Sequence, residues 1–137
     1  MVNLSLEMPN KSLRLRFRGK RPYFQHYVIE ILDLEKSAVK NATALRSLAK
    51  EFIKKAQLSV CDEINYKFYP RGTTIVFIMS SSHMSLHSWP ENNYVHIDLL
   101  VCKKLRISTL KSLVPKIFKA KQYFFHKIDY KNFRFES

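Results

Sequence analysis

Glycine is nearly missing from this chain: its 137 residues hold only Gly19 and Gly72. A Walker phosphate loop and a dinucleotide fingerprint each need several glycines close together, so both are excluded. Cysteine is as scarce, with Cys61 and Cys102 alone. Two thiols cannot build a disulfide scaffold, and a reducing cytoplasm is the expected compartment. No apolar run approaches the roughly 18 residues of a membrane span. The first residues, MVNLSLEMPNKSLRLRFRGK, lack the continuous apolar stretch of a secretory signal. Neither export nor membrane insertion is expected. Acidic side chains are also few, 11 against 24 Lys and Arg, which leaves a net charge of +13.

What is present is enough to build one core. The chain is 46% hydrophobic, with ten Phe and seven Tyr, and its length is that of a single ordinary domain. The positive charge sits at the two ends: residues 1–22 carry +5, residues 23–102 are neutral and residues 103–137 carry +8. Residues 1–22 read as a basic arm and residues 23–137 as the domain proper.

Within that domain the run YFQHYVIEILDL (23–34) alternates as a strand does. A helix follows, with Ser37 as N-cap and Ala38, Ala42, Leu45, Ala49, Phe52, Ile53 and Ala56 inward; Lys36, Lys40, Arg46, Lys50 and Lys54 form its solvated face. Strands are expected over 58–69, 73–79, 83–89 and 95–102, with Pro70-Arg71-Gly72 and residues 90–93 as turns. The apolar strand TTIVFIM (73–79) suggests a strand that is covered on both faces or central. A second helix is expected over about 109–120, with Pro115 awkward inside it, and a last strand from Tyr123. This order predicts an α+β fold, a two-layer sandwich with helices on one face of an antiparallel sheet.

The densest polar stretch is SSSHMSLHSWPENNYVHIDLLVC (80–102). His83 and His87 share a strand face, but four residues along a strand span about 13 Å, too far to ligate one zinc ion without a bend. No Gly-x-Ser-x-Gly elbow supports a serine hydrolase. A third possibility is chemical: a serine in a strained turn attacks the carbonyl of its own preceding peptide bond. The resulting ester breaks by β-elimination, leaving a pyruvoyl group that forms a Schiff base with a substrate amine, as pyridoxal phosphate does. By residue type alone, Cys102 and Phe68 read as core and Glu91 as an ordinary turn acid. His96 and Asp98 read as plain polar positions, and Cys61 as core.

The stretch Ser82-His83-Met84-Ser85-Leu86-His87-Ser88-Trp89-Pro90-Glu91, followed by Tyr94, Asp98 and Cys102, resembles the signature of the prokaryotic S-adenosylmethionine decarboxylases. Those proteins carry Glu-Ser-His-Leu-Ser/Thr-Ile-His-Thr-Trp/Tyr-Pro-Glu and then a Cys-Gly. Phe68-Tyr69-Pro70-Arg71-Gly72 resembles the family's Phe-x-Pro-x-Gly, His26 its Gly-x-His, and Lys116 to Tyr130 its end; the likeness covers about residues 23–131. It implies cleavage between Ser81 and Ser82, with Ser82 becoming the pyruvoyl cofactor and no metal required. It further implies that His87 and the Thr74 hydroxyl serve processing, that Cys102 donates the proton after decarboxylation, and that Phe68 and Glu91 bind S-adenosylmethionine. The product would feed spermidine synthesis, and the active sites would lie between the protomers of a homodimer. Three positions depart from the pattern: Ser81 stands for the usual Glu, Thr74 for a serine, and Lys103 for the glycine after the cysteine. Two rivals follow: an arginine or ornithine decarboxylase of the same chemistry, and a catalytically degenerate homologue that binds nucleic acid or is regulatory; the basic ends would also suit an acidic partner.

Overall fold

A computed structural model describes residues 21–130. Nearly all of the basic arm, and the last residues of the basic carboxyl end, lie outside the described residues. The described chain runs β1 (Gln25–Leu32), α1 (Lys36–Lys40), α2 (Ala42–Lys55), β2 (Val60–Lys67), β3 (Thr73–Met79), β4 (Ser82–Trp89), β5 (Tyr94–Val101), α3 (Ile107–Phe118) and β6 (Gln122–Lys127). A single 3-10 turn, Pro90–Asn92, joins β4 to β5. The strands form one sheet in the order β2-β3-β4-β5-β1-β6, and every pairing is antiparallel. The two-layer α+β expectation holds.

Alternation along the central strands separates the two faces. Ile75 and Phe77 of β3, Met84 and Leu86 of β4, Val95, Ile97 and Leu99 of β5, and Tyr27, Ile29 and Ile31 of β1 are fully buried on one face. Against them pack Leu45, Ala49, Phe52 and Ile53 of α2 and Leu110, Val114 and Phe118 of α3. The rings of Phe52 and Phe118 meet at 5.9 Å between centroids, tying the two helices together. Burying each such ring removes 150–250 Å² of mostly apolar surface from water, roughly, and this term holds the layers together.

The first helix differs from expectation. Asn41 is extended (φ −103°, ψ 106°) and splits the run into α1 and α2. Its Oδ1 accepts the N–H groups of Thr43 and Ala44 at 3.0 and 3.2 Å, so Asn41, and not Ser37, is the cap of the long helix. Arg46 and Lys50 are not merely solvated, since both form ion pairs with Glu63 of β2. In α3 the helix begins before the expected start and continues through Pro115, whose missing N–H leaves the Lys111 carbonyl without its helical donor. Strand β3 lies inside the sheet between β2 and β4, one of its two expected placements; it is covered on one face only, and Ile78 is half-exposed on the other.

Candidate functional site

Strands β3 and β4 are joined through Ser80 and Ser81, and Ser81 is left-handed (φ 61°). A residue with a Cβ loses about 1–2 kcal/mol in that conformation, so backbone strain sits on the residue just before Ser82. Ser82 opens β4, opposite Met79 on β3 and Val101 on β5. It is buried, and its Oγ accepts the backbone N–H of Cys102 at 3.3 Å. Cys102, one residue past β5, is exposed; the core placement that its residue type suggested does not apply.

A second group gathers at the other end of β4. Thr74 and His87 are directly opposed across β3 and β4, with Thr74 Oγ1 and His87 Nδ1 2.5 Å apart. Burial, and after it the neighbouring His96, hold the His87 pKa below the usual histidine value, while Glu91 pulls the other way. His87 is therefore kept neutral, and its Nδ1 can accept the Thr74 hydroxyl. Phe68 lies with its ring centroid 5.3 Å from that of His87, and Trp89 closes the other side at 4.0 Å. Phe68 is 42% exposed, which corrects its reading as core. Its N–H donates to the Gly72 carbonyl at 2.8 Å. Gly72 (φ +97°) suits this turn, because a side chain there would be strained and its Cβ would stand 3.0 Å from the Ser88 carbonyl oxygen. Glu91 is exposed in the 3-10 turn.

These two groups do not meet within one chain. Five residues of strand separate Ser82 from His87, about 17 Å. Odd spacing also sends their side chains to opposite faces: Ser82 shares the helix-covered side with Met84 and Leu86, while His87 and Thr74 lie on the open side. The sequence places the two residues close together in number, and the strand holds them apart.

The open face also carries groups that reading by type passed over. All five histidines, His26, His83, His87, His96 and His126, lie on it. His26 contacts Asp98 at 2.8 Å and the Tyr130 hydroxyl at 2.7 Å, so Asp98 is more than a polar position. Glu30 accepts from the Tyr94 hydroxyl at 2.8 Å and contacts His126 at 3.0 Å. Those hydrogen bonds lower the Glu30 pKa, while burial and then Glu30 push Tyr94 up to about 12. The i, i+4 spacing of His26 and Glu30 in β1 was the available signal, since it puts both on one face. Cys61, read as core, is exposed: a bulge between Val60 and Asp62 displaces it on the edge strand β2.

Residues 25–131 match the family model described as S-adenosylmethionine decarboxylase. The S-adenosylmethionine decarboxylase proenzyme of Synechococcus sp. (strain WH7803) is 31% identical over 78 residues, 57% of this chain and 61% of that protein. The proenzyme of Thermococcus onnurineus (strain NA1) is 34% identical over 77 residues, 56% of this chain and 55% of that one. The matched stretch thus spans less than two thirds of either relative. The crystal structure of the adenosylmethionine decarboxylase from Aquifex aeolicus VF5 superposes with a TM-score of 0.68 at 20% identity, covering 80% of this chain and 91% of that one, which establishes the shared fold. Among the described residues, no helix is long and apolar enough to cross a membrane.

Proposed function

Because the chain belongs to the S-adenosylmethionine decarboxylase family, we propose that it is a proenzyme that cleaves itself between Ser81 and Ser82 and then decarboxylates S-adenosylmethionine for spermidine synthesis. The observation that carries this reading is the setting of Ser82: a hydroxyl anchored by the Cys102 N–H, directly after a left-handed residue. The strain at Ser81 favours any step that opens the turn. In that step Ser82 Oγ bonds to the Ser81 carbonyl carbon and the peptide C–N bond breaks, giving an ester. Loss of the Ser82 α-proton then expels the Ser81 carboxylate. Water replaces the nitrogen, which leaves as ammonia.

The residues around Ser82 fit a pyruvoyl group: the Cys102 N–H that now meets Oγ would hold an oxygen there, and Cys102 itself is an exposed free cysteine. Once formed, the group supplies an electron sink for the substrate amine. Cys102 returns a proton to Cα after carbon dioxide departs. Phe68 offers an accessible ring to the adenine and the sulfonium, and Glu91 accepts from the ribose hydroxyls.

Thr74 and His87 would manage protons during cleavage, yet they sit some five residues of strand from Ser82 in the same chain. A homodimer would remove this separation if its twofold axis set one copy's Thr74–His87 end beside the other's Ser82–Cys102 end. The open face supports the same reading: Ile64, Tyr66, Ile78, Trp89 and Phe124 lie exposed on it, a surface that a second sheet would cover.

The test is an intact mass of the purified chain after hours at neutral pH. Fragments 1–81 and 82–137 are expected, the second lighter by one ammonia than a serine-started peptide. A single uncut mass, unchanged with time, overturns the reading. Mixing Ser82→Ala with His87→Ala chains tests the shared site, since the His87→Ala chain should then be cut. Turnover of S-adenosylmethionine with none of arginine or ornithine separates the substrates.

A further inference from the structure

Beside Phe68, but away from Ser82, lies a cleft of about 700 Å³ between α1 and the turn joining β2 to β3. Three cations line it from three separate elements: Lys40 at the end of α1, Lys67 at the end of β2 and Arg71 in the turn. No carboxylate lines it, and none of the three takes part in an ion pair among the described residues. Asn41 and Ala42 add the start of α2, whose first turn holds no acidic residue; Asn41 caps the Thr43 and Ala44 N–H groups there, and the 14-residue helix begins at the edge of the same space.

This wall does not suit the proposed substrate, because three uncompensated positive charges repel a sulfonium. Nor does it suit an extended nucleic-acid strand, since the cations converge on a hollow and are not strung along a ridge. Two ammonium groups and one guanidinium fork around a hollow match a compact anion of two or more charges. The volume lies within the range of roughly 300–1,000 Å³ typical of small-molecule sites.

We propose that the cleft lined by Lys40, Lys67 and Arg71 is a second binding site, for a polyphosphate anion of the pyrophosphate or nucleoside-polyphosphate class. Its occupant touches the segment that carries Phe68, Gly72 and Thr73, and Thr73 adjoins Thr74. Binding there reports directly on the segment that shapes the candidate active site.

Calorimetric titration of the full chain with pyrophosphate at fixed ionic strength tests the proposal, and a parallel titration with adenosine triphosphate separates recognition of phosphate alone from recognition of a nucleotide. Saturable binding of one pyrophosphate per chain is expected. The double variant Lys67→Gln/Arg71→Gln should weaken it about tenfold or more, the loss of one or two charge-assisted hydrogen bonds. Lys55→Gln/Lys104→Gln, which changes a separate basic cleft, should leave it unchanged. Should the double variant fail to fold, Lys40→Gln on α1 carries the same expectation. Non-saturable binding, or equal affinity in the cleft variants and the parent, overturns the site. Saturable binding of adenosine triphosphate alone narrows the class to nucleotides and keeps the site, provided the cleft variants weaken it. The readout is binding and not turnover, so it stands or falls apart from the decarboxylase reading.

Discussion

Replacing Thr74 with valine keeps the β-branch that suits a strand and removes the hydroxyl that meets His87 Nδ1 at 2.5 Å. Thr74 is half-buried on the open face, so a methyl there disturbs little packing. What is lost is one hydrogen bond to a partly buried imidazole, worth about 1–2 kcal/mol when the partner is left unsatisfied. If that bond orients His87 while Ser82 attacks, self-cleavage slows by about 5–30-fold. The assay follows freshly translated chain by mass or gel over time, comparing the parent, Thr74→Val and Thr74→Ser. Serine restores the hydroxyl and should recover most of the rate. A Thr74→Val chain that is cut as fast as the parent would refute the pairing as part of the chemistry. So would a Thr74→Ser chain as slow as valine, since the hydroxyl would then not be what matters.

Self-cleavage should also fall in acid. Burial and His96 set the His87 pKa below its ordinary value, so the stability it contributes is present above about pH 6.5 and is lost as pH falls below that value. Cleavage measured from pH 5 to 8 should decline on the same side. His96→Ala should move that decline to higher pH, and an unmoved profile would remove His96 from the account. Gly72→Ala places a Cβ 3.0 Å from the Ser88 oxygen at φ +97°; thermal unfolding should show a loss of about 1–3 kcal/mol. Phe52→Ala empties the contact between α2 and α3 and should cost about 3–5 kcal/mol in denaturant unfolding. Tyr94, pushed up to about 12, should be among the last tyrosines to ionise in an ultraviolet titration.

Much of the architecture was legible because it rests on local periodicity. The period of two in HMSLHSW and VHIDLLV placed His87 and His96 on one face and the apolar residues on the other, as the paired strands have them. The recurrence of Leu45, Ala49, Phe52 and Ile53 marked the buried stripe of α2. The run from Ser82 to Glu91 carried the family in its side-chain order alone. Less legible were features that depend on where the chain bends. Asn41 breaks the helix because its amide competes for the backbone N–H groups beyond it, a choice that composition around Ser37 does not reveal. Cys61 is exposed because of a bulge, and bulges depend on the partner strand's register.

The order of residues by itself determined the sheet and helix alternation, the apolar core and the charged ends, since each follows from spacing and side-chain chemistry along the chain, while the candidate residues came from the likeness of the run around Ser82 to a family signature. Only the tertiary structure decided which of them are neighbours. It set Thr74 against His87 and Ser82 against Cys102, and it drew His26, Asp98 and Tyr130 together from residues up to 104 positions apart. The physical reason is the antiparallel register, fixed by backbone hydrogen bonds and by the need to bury one face, which no single segment carries within itself.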